Sequence, residues 1–263
     1  MRQPTFFLSH GGGPWPFMDG DYRRAHAKLE ASLQALPASL PEKPKAILMI
    51  SAHWEETAFT VMTSPAPGML YDYGGFPPHT YEVVYPAPGD PALAERVVSL
   101  IEAAGLPAAR DDQRGYDHGA FCTLVPMVPD ADIPVVQLSL KRGLNPADHL
   151  ALGRALAPLR DEGVLILGSG FSFHNLRLYG AQGREPSAQF DAWLQDALPS
   201  PDGRAERLQA WAQAPSARLA HPREEHLLPL MVAAGAAEGE AARCSYHETG
   251  FLGGVTASSF RFG

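Results

Sequence analysis

Cysteine, clustered basic residues and long apolar runs are scarce in this 263-residue sequence, and each shortage excludes something. The two cysteines, Cys122 and Cys244, lie far apart and form no CxxC pair. A disulfide framework is therefore excluded and a cytoplasmic address expected. Net charge is -8 and no Lys/Arg cluster occurs, which argues against nucleic acid or an anionic membrane as partner. No apolar run approaches the roughly 20 residues of a membrane helix, and the N-terminus lacks the basic-then-apolar order of a signal peptide. Phosphate-loop signatures (GxGxxG, GxxxxGK[ST]) are missing, as is the local zinc motif HExxH. No repeat, low-complexity stretch or composition break divides the chain, so a single domain over residues 1–263 is expected.

What the sequence does contain is a core. Hydrophobic residues make up 45% and charged residues 19%, ordinary values for a soluble globular chain. Wholly apolar runs at 46–50 and 164–167, and the stretch Thr5-Phe6-Phe7-Leu8, read as buried strands. Residues 57–63 suggest a strand neighbouring the first two, and 133–140, 242–247 and 257–262 suggest three more. Helical patterns cover 19–36, 90–104 with Asp90 as cap, 145–163, 186–198 and 204–213, and another follows His221 to His226. Residues 110–116 read as polar loop. Strands alternating with helices predict an α/β domain, its central sheet mainly parallel or mixed and flanked by helices. Residues 64–90 form a long proline-rich loop carrying four tyrosines and a phenylalanine. Such a loop inside a domain predicts a lid or wall over a site, because a linker has no use for aromatics.

Ten histidines are present. His26 and His149 fall in helical patterns that look exposed, and His247 in a late strand. His79 lies within the aromatic loop. His10, His53 and His174 differ, since each follows an apolar strand and is flanked by Ser or Gly. Strand ends in α/β folds open onto the layer where ligands bind, so three equivalent placements predict one shared site. His118 sits in a Gly-flanked turn behind Asp117, a carboxylate expected to orient its ring. His226 follows Glu224 and Glu225 at the start of an apolar helix. Neutral imidazoles from distant segments suit Zn or Fe, and a surplus histidine suits proton transfer near neutral pH. A Ser/His/Asp hydrolase fits less well, because Gly168-Ser169-Gly170 lacks the GxSxG elbow and the other histidines stay unused.

Seven stretches in order carry a resemblance: Ser9-His10-Gly11, Ser51-Ala52-His53-Trp54, Tyr71-Asp72-Tyr73-Gly74-Gly75-Phe76-Pro77, Tyr85-Pro86-Ala87-Pro88-Gly89, Asp117-His118-Gly119, Gly168-Ser169-Gly170 with His174-Asn175-Leu176, and His226-Leu227-Leu228-Pro229-Leu230. Together they resemble the DODA-type extradiol dioxygenases, which belong to the class III (LigB-like) ring-cleaving superfamily. The resemblance implies one α/β domain with a divalent metal, Fe(II) for activity and Zn(II) as an alternative occupant. It implies metal ligands at His10, His53 and His226, with His174 either a fourth ligand or the base. His118 or His174 would accept a phenolic proton from a small catechol, DOPA-like or other, and O2 would be inserted beside the two hydroxyls. Tyr73, Phe76 and His79 would contact the substrate ring. Two other readings use the same cluster: a zinc hydrolase, and a metal-binding homologue without catalysis. The oligomeric state is left open.

Overall fold

Alternation along the apolar runs decides which side of the sheet each side chain enters. The computed structural model describes residues 1–263. Its strands are β1 (Thr5–Ser9), β2 (Ala46–Glu56), β3 (Phe59–Met62), β4 (Ala108–Asp111), β5 (Val135–Lys141), β6 (Val164–Gly170), β7 (Ala242–Phe251) and β8 (Val255–Phe262). They form one mixed sheet in the order β4-β3-β5-β2-β6-β1-β8-β7. The four central strands, β5, β2, β6 and β1, run parallel. Ile47 and Met49 of β2, with Leu165 and Leu167 of β6, enter one core. Leu48, Ile50, Val164 and Ile166 enter the other. Burial on both faces is why these strands read as unbroken apolar runs.

The helices are α1 (Gly20–Arg24), α2 (Ala27–Ala35), α3 (Pro91–Ala103), α4 (His118–Met127), α5 (Pro146–Leu156), α6 (Arg184–Ala197), α7 (Arg204–Gln209), α8 (Ala217–Ala220) and α9 (Leu228–Ala236). The α2 and α4 residues Leu29, Leu33, Phe121 and Leu124 pack on the first core. Val97 and Ile101 of α3 and Leu152 and Leu156 of α5 pack on the second. α9 is buried on every side and reaches both cores. The expected single α/β domain with a mixed, helix-flanked sheet is the observed one.

Several expectations are corrected. β3 does not neighbour β1 or β2; it pairs with β5 and β4, because β5 occupies the place beside β2. Part of the expected polar loop is strand β4, whose alternation is too short and polar to show in the sequence. The expected 19–36 helix is two, α1 and α2, broken at Ala25-His26. The apolar stretch after Asp117 is helix α4, with Asp117 accepting from the Ala120 N–H at its start.

His26 and His149 are fully buried rather than exposed. Hydrogen bonds explain both. His26 Nδ1 donates to the Tyr22 carbonyl at 2.8 Å, Nε2 accepts from the Gly12 N–H at 3.2 Å, and the ring stacks on Trp15. His149 repeats the pattern with the Asn145 carbonyl at 2.8 Å and the Lys141 N–H at 3.2 Å. Both geometries require the neutral imidazole, since a proton on Nε2 would face an N–H donor. Burial accordingly lowers both to a pKa of about 4. A histidine depressed in the native state but ordinary when unfolded destabilises the fold as pH falls from about 6.5 toward 4. Stability is therefore expected to drop by up to about 1.4 kcal/mol per pH unit for each such group in that window. Urea unfolding at pH 7, 6 and 5 measures the slope, and His149→Gln should make it shallower.

Candidate metal centre

β2, β6 and β1 lie side by side and parallel, so their C-terminal ends share one edge of the sheet. His10 follows β1 directly, and its backbone N–H still bonds the Gly170 carbonyl at 3.0 Å. His53 lies inside β2 rather than beyond it, because the strand continues to Glu56. Pairing of β2 with β5 shifts register between Ile50 and Glu55, and His53 sits in that irregularity, a device that re-aims side chains. His174 lies four residues past β6, its N–H held by the Ala220 carbonyl at 2.9 Å. His226 comes from the turn before α9, whose carbonyl accepts from the Phe171 N–H at 2.9 Å. A Cβ on Gly170 would lie 2.2 Å from that carbonyl, so only glycine lets β6 approach so closely.

Each of the five histidines turns Nδ1 toward an oxygen. His10 Nδ1 is 3.0 Å from Ser169 Oγ, whose own hydrogen goes to the Gly119 carbonyl at 2.6 Å, so the histidine is the donor. His118 Nδ1 donates to Asp72 Oδ1 at 2.7 Å, and His53 Nδ1 stands 3.3 Å from Asp72 Oδ2. His226 Nδ1 donates to Glu225 Oε1 at 3.0 Å, with His174 Nδ1 3.3 Å from the same oxygen. Two carboxylates thus each hold a pair of imidazoles: Asp72 takes His53 and His118, Glu225 takes His226 and His174. Burial works against both carboxylates, but hydrogen bonds from His118 and His174 outweigh it, holding Asp72 at about 2 and lowering Glu225.

With Nδ1 protonated, each Nε2 carries a lone pair. His53 Nε2 lies 3.2 Å from His10 Nε2 and 3.3 Å from His226 Nε2. These are acceptor–acceptor contacts, which a cation between them relieves. A tetrahedral centre with metal–nitrogen bonds of about 2.0 Å has edges of about 3.3 Å, so the spacing fits a bound metal ion. Burial and mutual repulsion keep these three rings neutral: His10 and His226 fall well below the ordinary histidine value, and His53 to about 4. Nitrogens of His10, His53 and His118 also lie within 4.8 Å of one another, as do ligand atoms of His174, Glu225 and His226. The shortest nitrogen–nitrogen edges are those of His53 with His10 and with His226. His174 stacks flat on His226, ring centres 3.3 Å apart.

A cavity of about 720 Å³ opens over the cluster, lined by all five histidines with Gly11, Tyr22, Glu55, Tyr179, Arg223 and Leu252 among its walls. Tyr73, Phe76 and His79 do not line it. Tyr73 packs edge-on against His118 and Phe76 against Tyr22, behind the wall. His79 is exposed and meets the Phe17 carbonyl at 3.0 Å. Nor does Asp117 orient His118: it accepts from Ser51 Oγ, Gln137 Nε2 and Arg114, at 2.7 to 2.8 Å, and braces the end of β2 instead. Asp72 does that work from the long aromatic loop. Asp72 lies within the stretch Tyr71-Asp72-Tyr73, and a lone carboxylate between two tyrosines was the available signal. Tyr22 and Leu252 reach the cavity from α1 and the β7–β8 turn, and nothing local marks them.

A parallel strand edge presenting converging neutral imidazoles, with carboxylates on their far nitrogens, defines a metal-dependent α/β enzyme. The comparisons make this specific. The family model described as the catalytic LigB subunit of aromatic ring-opening dioxygenase matches residues 4–262. The 4,5-DOPA dioxygenase extradiol of Beta vulgaris is 42% identical, covering 98% of this chain and 96% of its own. Dioxygenase tasH of Hapsidospora irregularis is 38% identical over 90% of this chain and 79% of its own. The crystal structure of an uncharacterized Escherichia coli K12 protein covers both chains fully, with a TM-score of 0.76 and 33% identity. The chain belongs to the LigB family of aromatic ring-opening dioxygenases, and extradiol ring opening is its chemistry. No helix is long and apolar enough to cross a membrane.

Removing a carboxylate that holds a ligand's far nitrogen typically weakens metal binding by about 10- to 100-fold. Asp72→Asn is expected to lower metal affinity within that range, measured by titration against a competing chelator.

Proposed function

We propose that His10, His53 and His226 hold Fe(II) and that the substrate is a small catechol carrying a side chain, such as DOPA, the substrate named for several relatives. The observation that carries this reading is the set of Nε2 contacts at 3.2 and 3.3 Å, with every Nδ1 committed to an acceptor. When bound, the metal supplies a redox-active Lewis acid at which catechol and O2 meet; zinc fits the same nitrogens but has no redox chemistry.

The remaining steps belong to the chain's own side chains. His118 and His174 both line the cavity, with Nδ1 turned to a carboxylate. Each therefore offers Nε2 to substrate as a proton acceptor, and the carboxylate behind it stabilises the imidazolium that results. We assign His174 as the base that takes a phenolic proton and His118 as the group that returns one to the opened ring. We read His174 as the base rather than a fourth ligand because His10, His53 and His226 already supply three converging nitrogens, while His174 lies stacked on His226. Trp54, Phe171 and Trp15, buried around the strand ends, keep the floor of the cavity dry, which strengthens each of these polar contacts. Tyr73 and Phe76 stiffen the wall behind His118 rather than touch the ring.

Anaerobic loading with Fe(II), then addition of a catechol panel in air, should give oxygen uptake and the coloured ring-opened product. No uptake with any catechol would sink the reading. His53→Ala should lose bound metal by elemental analysis. His174→Ala should retain it while kcat falls by about 100-fold or more, the usual contribution of a general base; a homologue without catalysis predicts no turnover to lose.

A further inference from the structure

The cavity is far larger than a catechol ring needs, and one of its walls is charged. Among its lining residues Arg223 is the only Arg or Lys, and Glu55 and Glu225 are the only carboxylates. Glu225 Oε1 is occupied with His226 and His174, and its Oε2 stands 3.4 Å from Arg223, a longer contact than the one Arg223 makes with Glu55. Glu55 has no such duty: its two oxygens meet the two terminal nitrogens of Arg223 at 2.5 Å each. Both groups remain reachable, with side-chain exposures of 56% for Arg223 and 21% for Glu55.

Their position relative to the histidines matters. Glu55 is two residues beyond His53 on β2, and both line the cavity, as does Ala52, while Trp54 between them is buried away from it. Alternate residues of a strand sit about 6.6 Å apart on one face. Glu55 therefore stands about one substituted ring's length from the cluster. Arg223 reaches the same place from the turn that carries His226, three residues later. A ring anchored by its hydroxyls at the histidines has room in the cavity to turn its opposite substituent toward this pair.

We propose that Glu55 and Arg223 form the subsite that reads the substrate's side chain, Arg223 taking a carboxylate and Glu55 an ammonium group, as on an α-amino acid. This rests on the catechol reading above. The pairing explains itself physically. Without substrate, each charge satisfies the other. A zwitterion replaces both partners at once, so neither charge is left unpaired, and the planar guanidinium matches a carboxylate in bidentate fashion. A purely anionic or cationic side chain breaks the pair and satisfies only one member, so it binds less well. Tyr22, Tyr179 and Leu252 enclose the space between ring and charges without adding a competing cation.

The test compares four catechols with one ring: 3,4-dihydroxyphenylalanine, dopamine, 3-(3,4-dihydroxyphenyl)propionate and 4-methylcatechol. Two readouts are taken on each variant, kcat/KM with iron-loaded protein and anaerobic Kd with zinc-loaded protein, which cannot turn over. Arg223→Gln should reduce the preference for the propionate over 4-methylcatechol by about 10- to 100-fold, the range of a charge-assisted hydrogen bond. Glu55→Gln should do the same for dopamine over 4-methylcatechol. Both should reduce the preference for 3,4-dihydroxyphenylalanine. Taking ratios to the neutral catechol cancels any general damage to the site. Ratios that hold within about twofold in both variants overturn the subsite, as does an equal loss for all four compounds. Shifted Kd ratios without oxygen uptake in the iron-loaded wild type would keep the subsite and remove the ring-opening reading. Absence of both binding and turnover removes the two together.

Discussion

One imidazole nitrogen, with its lone pair forward, is held within hydrogen-bonding distance of two others, and none of the three has a hydrogen to share. His53 Nε2 faces His10 and His226 at 3.2 and 3.3 Å, and their other nitrogens are already committed as donors. The arrangement is repulsive unless a cation enters, and burial removes the alternative of protonating the rings. Much of the surrounding architecture serves to hold this convergence. Ser169 in β6 turns its hydroxyl so that it can only accept from His10, and the register shift in β2 brings His53 into line. Gly170 lets the turn carrying His226 lie against the sheet.

The two carboxylates add a second level of order. Asp72 and Glu225 each join one histidine of the cluster to one further histidine, to which the proposed function gives proton transfer. Orientation of the metal's ligands and orientation of the acid–base groups are thereby one problem with a shared solution. A change at either carboxylate must affect both. Asp72 comes from the 64–90 loop, which is braced within itself by Tyr71 on the Val83 carbonyl and held to the body by Tyr85 on the Val128 carbonyl. That loop is a wall with a working group in it. Its aromatic residues pack among themselves and against His118, which is why they stand behind the cavity surface and not on it.

Much of the fold was legible because buried parallel strands write themselves as apolar runs. Residues 5–8, 46–50 and 164–167 could belong to little else, and the Asp90 and Asn145 caps marked their helices as expected. Histidines at three such strand ends announced a shared site. Short or polar elements were less visible. β4 has four half-exposed residues and no contrast with a loop. His26 and His149 looked exposed because helical periodicity says nothing of a distant N–H, and it is the backbone of Gly12 and of Lys141 that draws each ring inward.

The sequence by itself determined the α/β class, the strand ends that deliver histidines to one edge and, through seven ordered motifs, the ring-opening family. Those depend on local patterns: hydrophobic period, capping residues, and which side chain follows which strand. Tertiary structure alone decided the partners. It put Asp72 rather than Asp117 behind His118, moved Tyr73, Phe76 and His79 off the cavity surface, and brought Arg223 against Glu55 across 168 residues. The physical reason is that hydrogen bonds and ion pairs form between atoms a few ångströms apart, and only the packed sheet determines which distant residues come that close.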